Sequence, residues 1–255
     1  MYDLIKGYQQ RNISITIDNI TVGIVNIDSE WAECVNNFKV NRKKFPNMEQ
    51  FISDMHSQNI KVIVWATSVV NKVCPEYKEG LEKKYFLNNG KTVKWWRGVG
   101  SFIDFYNPEA KKWFGSLMDR ALDIGIDGFK VDGSDPYIDL LRPFPYSPSS
   151  KKYVSYRSYA NQCYGYFYNH SLTRNSEALI MSRPVDILGD VWFMKYSPKY
   201  VMFMGWVGDQ GNNAKGFRKA MTNVIHSATA GYLNFGYDIG GYLTKSTPTK
   251  WILLR

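Results

Sequence analysis

Short apolar runs, each ending at a charged or aromatic residue, recur along this chain with stretches of helical spacing between them. That alternation restricts the fold more than any other feature. The runs are Ile20–Ile27, Lys61–Trp65, Phe129–Val131, Ala178–Ser182, Met202–Trp206 and Tyr232–Phe235. Helical stretches are expected at Met48–Gln58 with Asn47 as N-cap, from Asn107-Pro108-Glu109 to about Gly125, near Tyr153–Tyr168, and at Ala214–Ala230. Tyr2–Arg11 reads as the end of a further helix, and Ala66–Asp104 as a long loop. Strands alternating with helices build a parallel sheet, either a closed barrel or a doubly wound sheet. No glycine-rich phosphate fingerprint follows the first run, which counts against a dinucleotide fold. Asp28, Trp65, Asp132, Arg183, Asp209 and Asp238 stand at the run exits, and a barrel would gather them into one ring-shaped site. The expected class is therefore α/β, a (β/α)8 barrel of the TIM type.

The densest chemical signal is Gly125-Ile-Asp-Gly-Phe-Lys-Val-Asp132-Gly-Ser-Asp135. Gly125 suits a left-handed helix end. Phe129 and Val131 flank Lys130 in the strand, and Pro136 lets neither helix nor central strand continue. Asp132 then sits at a strand exit, where ligand sites form, with Lys130 two residues earlier on the same face. It is a candidate nucleophile. The plainer reading is an Asp that caps the next turn.

At 255 residues the chain is long enough for one large domain, and 44% hydrophobic with 22% charged residues suits a globular protein. The aromatic share of 16% is high, and aromatic platforms suit sugars, although Tyr and Phe also fill cores. The net charge of +9 is spread over short groups such as Arg42-Lys43-Lys44 and Lys151-Lys152, which reads as solvated surface and not as a nucleic-acid stripe. Cys34, Cys74 and Cys163 read as too few and too far apart for a zinc site or a disulfide framework. His56, His170 and His226 lack metal-ligand spacing, and His226 reads as a packed helix residue. No metal or cofactor is expected. Sequons begin at Asn12, Asn19 and Asn169, in an asparagine-rich chain where chance produces them. There is no signal-peptide pattern and no apolar run of membrane-spanning length, so location stays open.

Taken together, the motifs resemble glycoside hydrolase family 31, the α-glucosidase and α-xylosidase family. Gly-Phe-Lys-Val-Asp132-Gly-Ser-Asp is similar to its nucleophile region, and Trp96-Arg-Gly-Val-Gly-Ser-Phe-Ile-Asp-Phe-Tyr-Asn-Pro-Glu-Ala-Lys-Lys-Trp113 to the segment leading into it. Ile27-Asp28-Ser-Glu-Trp31, Phe45-Pro46 and Val64-Trp65 fit its second and third barrel strands. Ser182-Arg183 resembles its substrate-binding arginine, Trp206-Val-Gly-Asp209 its acid/base motif, and Asp238-Ile-Gly-Gly-Tyr242 its seventh-strand motif. Jointly, and in this order, these motifs are specific; singly, none is.

The resemblance implies a retaining mechanism with Asp132 as nucleophile and Asp209 as acid/base, acting on a carbohydrate without a cofactor. It further implies sugar contacts from Asp28, Trp65, Trp96, Lys130, Arg183, Trp206 and Tyr242; for each Trp, core packing is the rival reading. Asp238 is expected to organise a strand end. Asp135 departs from the family's usual Glu in Asp-x-x-Glu and holds its carboxylate one methylene shorter. On this reading residues 1–255 are a partial catalytic barrel with about strands 2 to 7. Strands one and eight and the flanking β-domains would be missing, and the exposed sheet edges would favour aggregation. A non-catalytic, carbohydrate-binding or regulatory homologue is the alternative. Neither the sugar nor the choice between hydrolysis and transfer is legible.

Overall fold

The computed structural model describes residues 22–132, 138, 140, 141, 143–183, 185, 186, 195–201 and 204–242. The expected helix at Tyr2–Arg11, Asp135, Pro136 and Met202 lie outside the described residues.

β1 (Ile24–Ile27) and α1 (Met48–His56) lead to β2 (Lys61–Ala66), whose Val62, Ile63 and Val64 are completely buried. A run of β-branched residues buried on both faces is what a covered parallel strand requires. Asn47 precedes α1 as expected, but its side chain makes no cap hydrogen bond.

The stretch expected to be one long loop is structured. It holds β3 (Val69–Asn71), α2 (Pro75–Glu82), the 3-10 turn Leu87–Gly90, β4 (Val93–Trp95) and β5 (Gly98–Phe102), with β3, β5 and β4 in an antiparallel sheet. Strands this short carry almost no periodic signal, which is why the sequence hid them.

α3 (Pro108–Leu122) begins as its sequence dictates. Pro108 takes the first turn, where its missing N–H costs nothing, and Asn107 Oδ1 accepts from Glu109 N at 2.9 Å and Ala110 N at 3.4 Å. The helix buries Ala110, Phe114, Leu117, Met118 and Ala121 along one stripe. Beyond it Gly125 takes φ 98° and donates to Leu122 O, so the left-handed conformation expected there is present.

β6 (Gly128–Val131) follows. Gly128 lies so near the strand Leu179–Ser182 that an added Cβ would sit 1.8 Å from Leu179 O, so only glycine lets the two strands pair here. Phe129 points outward and meets Phe38 at 5.6 Å and Phe167 at 5.4 Å between ring centres. Such edge contacts each add about 0.5–1.5 kcal/mol beyond the area they bury. Lys130, the next residue, therefore faces the opposite side of the sheet.

The remaining elements are β7 (Tyr146–Ser147), β8 (Lys152–Tyr153), α4 (Tyr156–Leu172), β9 (Leu179–Ser182), β10 (Val185–Asp186), β11 (Lys195–Tyr196), β12 (Met204–Trp206), α5 (Ala214–Thr229) and β13 (Phe235–Gly236). α4 is capped by Ser155 and α5 by Asn213. β1, β2, β6, β9, β12 and β13 form one sheet in that order, every neighbouring pair parallel. Succession in chain order, with α-helices in four of the five crossovers, is barrel topology, here as six strands of an incomplete barrel among the described residues.

One expectation is corrected. Cys34 and Cys74 form a disulfide, with Cα atoms 5.7 Å apart across 40 positions of sequence; Cys163 is buried and lies outside that bridge. Sequence distance misled because the fold folds both loops onto the same end of the sheet. Asn36 Nδ2 donates to Thr67 O at 2.6 Å and Val69 O at 2.8 Å, which stitches those loops together beside the bridge. A loop this long makes the bridge worth about 3–4 kcal/mol through the entropy of the unfolded chain. Cys34→Ser/Cys74→Ser is expected to lower the unfolding free energy by that amount in denaturant titration, and an unchanged midpoint would refute the bridge.

Candidate active site

Every loop that follows a sheet strand opens at the C-terminal end of the sheet, and the residues expected to act are carried there. Asp132 is the centre. Its backbone N–H still donates to Ala66 O at 2.9 Å, so the last rung of the β2–β6 ladder fixes its position. Trp65 Nε1 donates to Asp132 Oδ2 at 3.2 Å, and the Trp65 carbonyl in turn accepts from Trp31 Nε1 at 2.7 Å. From the end of β9, Arg183 donates to Asp132 Oδ1 through Nη2 at 3.0 Å and Nε at 3.3 Å.

The same Nη2 lies 3.7 Å from Asp209 Oδ1. One guanidinium nitrogen thus faces both carboxylates, and their nearer oxygens lie no further apart than the sum of those two contacts. Trp206, at the end of β12, lies beneath two cations: the Arg183 guanidinium carbon and Lys130 Nζ each stand 4.7 Å from its ring centre. Lys130 Nζ also pairs with Asp28 Oδ2 at 2.7 Å.

The two central carboxylates are shifted in opposite directions. Burial pushes Asp132 up, but the charges of Arg183 and Lys130 with the hydrogen bonds of Trp65 and Arg183 outweigh it, so its pKa lies below the ordinary value. Burial also pushes Asp209 up; Arg183 opposes this and the Asp132 charge reinforces it, leaving the pKa raised. The Trp206 N–H makes no formed hydrogen bond, yet it lies near enough to Asp209 to favour the charged form slightly.

Around this centre stand the weaker candidates. Trp96 is 49% exposed and joins the site through Trp65, at 5.7 Å between ring centres, while Arg97 lies 5.5 Å over its ring. Trp65 itself stacks on Trp95 at 6.4 Å, so it is both core and site wall. Tyr242 stands exposed at the rim, held by its backbone N–H on Gln210 O. Burial, then the charges of Asp209 and Asp28, raise its phenol, which marks it as their neighbour.

Asp238, expected to organise a strand end, also lies within electrostatic reach of Asp209. Its Oδ2 is buried with no hydrogen-bond partner, and burial followed by the Asp209 charge raises its pKa. The signal was available, since Asp238 follows a strand as Asp28, Asp132 and Asp209 do. Also missed was the bridge made by Glu30, which pairs with Arg97 at 3.1 Å and with Lys44, so that the loop after β1 is tied to the turn carrying Trp96. Among the described residues no group of three or more His, Cys, Asp or Glu is placed to hold a metal, and no helix is long and apolar enough to cross a membrane.

The family model described as the glycosyl hydrolases family 31 TIM-barrel domain matches residues 2–255. An α-xylosidase of Emericella nidulans is 21% identical over 267 residues, covering 96% of this chain and 32% of that protein. Alpha-glucosidase 2 of Bacillus thermoamyloliquefaciens is 21% identical, covering 92% of this chain and 31% of that protein. Among solved structures, a family 31 sulfoquinovosidase from E. rectale superposes with a TM-score of 0.72 at 21% identity, covering 99% of this chain and 38% of the other. The chain thus spans about a third of the length of these relatives.

Proposed function

The chain belongs to glycosyl hydrolase family 31, and on that premise we propose that residues 1–255 carry the catalytic centre of a retaining α-glycoside hydrolase. The observation that carries this reading is the pair of carboxylates at one guanidinium, one held charged and the other pushed toward its neutral form. Two acids with opposed ionisation are what a glycosidase needs for two roles. The upper limit that Arg183 sets on their separation supports the roughly 5–5.5 Å of a retaining pair over most of the roughly 6.5–9.5 Å range of inverting pairs.

In the first step an Asp132 oxygen attacks the anomeric carbon while Asp209 gives its proton to the departing oxygen. The glycosyl–enzyme ester carries no charge on Asp132. One influence that raised Asp209 is then gone, so its pKa falls, as a general base requires. Asp209 takes a proton from water, the hydroxide oxygen bonds to the anomeric carbon, and the ester bond breaks to restore charged Asp132. Arg183, Asp28 and Lys130 would contact sugar hydroxyls, with Trp65, Trp96, Trp206 and Tyr242 as aromatic walls. The substrates are α-linked oligosaccharides or glycosides.

The test is hydrolysis of nitrophenyl α-glucoside and α-xyloside by the full-length protein, with the first-formed sugar read by proton NMR. The α-anomer is expected first, and the β-anomer first would end the retaining reading. The pH dependence follows from the two shifts. kcat/KM is expected to fall on the acid side only below the ordinary carboxylate range, as Asp132 protonates, and on the basic side above that range, as Asp209 loses its proton. Activity rising without a basic limb on a substrate with a poor leaving group would remove Asp209 as the acid.

A further inference from the structure

We propose that the surface cluster of Phe144, Tyr146 and Tyr153 is a second carbohydrate-binding platform, separate from the Asp132–Asp209 centre, which holds an outlying sugar of an oligosaccharide. The choice of sugar as occupant rests on the hydrolase reading. Position comes first. The cluster lies between β6 and α4, in the loop that follows Asp132, so it opens on the same end of the sheet as the active site.

Exposure comes second. Phe144 is 63% and Tyr153 68% exposed, although their rings meet at 6.1 Å between centres. Tyr146 stands directly opposite Tyr153 across the β7–β8 pair, 5.3 Å away. A single exposed aromatic residue is ordinary, whereas a group of them held at the surface marks a place of contact.

The third observation is how firmly the group is held. Asn88 Nδ2 donates to Phe144 O at 3.0 Å, and Tyr146 N donates to Asn88 Oδ1 at 2.8 Å. One residue later, Ser147 Oγ donates to both oxygens of fully buried Asp104, at 3.0 and 2.8 Å, and Ser149 Oγ donates to Asp104 Oδ2 at 2.8 Å. These bonds anchor the hairpin from below while the rings of Phe144 and Tyr153 face water and that of Tyr146 is half-buried beside them. A preformed platform loses little freedom when a ligand arrives.

The chemistry suits a pyranose. Its C–H face packs on a flat ring without needing charge, and the two phenolic hydroxyls lie beside those rings to exchange hydrogen bonds with sugar hydroxyls. The only charged side chains within the hairpin itself are the exposed Lys151 and Lys152, so neutral sugars meet no repulsion there.

The experiment uses the full-length protein with Asp132→Asn, which binds without consuming substrate, and maltoheptaose and a xyloglucan heptasaccharide as probes in calorimetry. Phe144→Ala/Tyr153→Ala is expected to raise Kd for at least one probe about tenfold, whereas Phe144→Trp retains binding. In the protein with Asp132 intact, KM for a nitrophenyl α-glycoside should not change with the double substitution. Equal Kd with and without the rings overturns the platform, as does failure of both probes to bind a protein that turns over the small glycoside. Equal losses on large and small substrates would overturn it too, by assigning the rings to the centre. A protein without turnover that still loses oligosaccharide affinity with the rings would keep the platform and remove the hydrolase reading.

Discussion

Replacing Asp132 with alanine is expected to lower kcat/KM on nitrophenyl and natural α-glycosides alike by at least about ten-thousandfold, or about 5 kcal/mol of transition-state stabilisation. Leaving-group quality should not matter, because the carboxylate forms the bond and no better leaving group replaces it. Asp209 also faces Arg183, but it is pushed toward its neutral form and is assigned to the departing oxygen's side. The substitution also removes the 3.0 Å partner of Arg183 Nη2 and leaves Asp209 Oδ1 at 3.7 Å from the same nitrogen. Asp209 loses the negative neighbour that raised it, so its carboxyl is expected to titrate lower, as followed by carbon-13 NMR. Asp132→Asn keeps the shape and serves as the folding control. Added azide should enter from the vacated face and yield the β-glycosyl azide. Substantial turnover in both variants, with azide having no effect, would take the nucleophile role away from Asp132.

Much of this arrangement was legible because barrel chemistry is written at strand exits. The runs ending at Asp28, Trp65, Asp132, Arg183 and Trp206 became parallel strands of one sheet, each bringing its terminal residue to the same end. A strand buried on both faces, such as β2, is a continuous apolar run and needs no tertiary knowledge to be seen. Three features resisted reading for separate reasons. The sheet of β3, β5 and β4 uses strands too short for a period to show. The Cys34–Cys74 bridge depends on two loops meeting in space, which no spacing rule on three cysteines can supply. Asp238 looked structural because it follows the last strand in a short turn that Gly240 and Gly241 continue. Its importance lies in charge, since burial and then the Asp209 charge raise its pKa, and electrostatic neighbourhood appears only when the strands are side by side. The exposed rings of Phe144 and Tyr153 belong to the same class, being ordinary residues in sequence and a cluster only in the fold.

Replacing Asp209 with alanine is expected to behave differently from the loss of Asp132, and the difference separates the roles. With nitrophenolate as leaving group no proton is needed, so Asp132 can still form the glycosyl–enzyme ester and a burst of nitrophenolate should appear. Return of the sugar to water then loses its base, and steady turnover should fall by about a hundred- to ten-thousandfold, the range of general acid–base catalysis. On substrates with poor leaving groups both steps suffer, so the loss there should be larger still. Azide is an anion that needs no deprotonation, and it should restore part of the rate by attacking from the side that Asp209 vacated. Attack on the ester from that side returns the original configuration, so the product should be the α-glycosyl azide. Arg183 remains paired with Asp132 at 3.0 Å, so the nucleophile should stay ionised and the burst should keep its low acid limb. The steady rate should lose its basic limb, because the group whose raised pKa produced it is gone. A β-azide from this variant, or a basic limb unchanged in position, would show that the two carboxylates have been assigned to the wrong faces of the sugar.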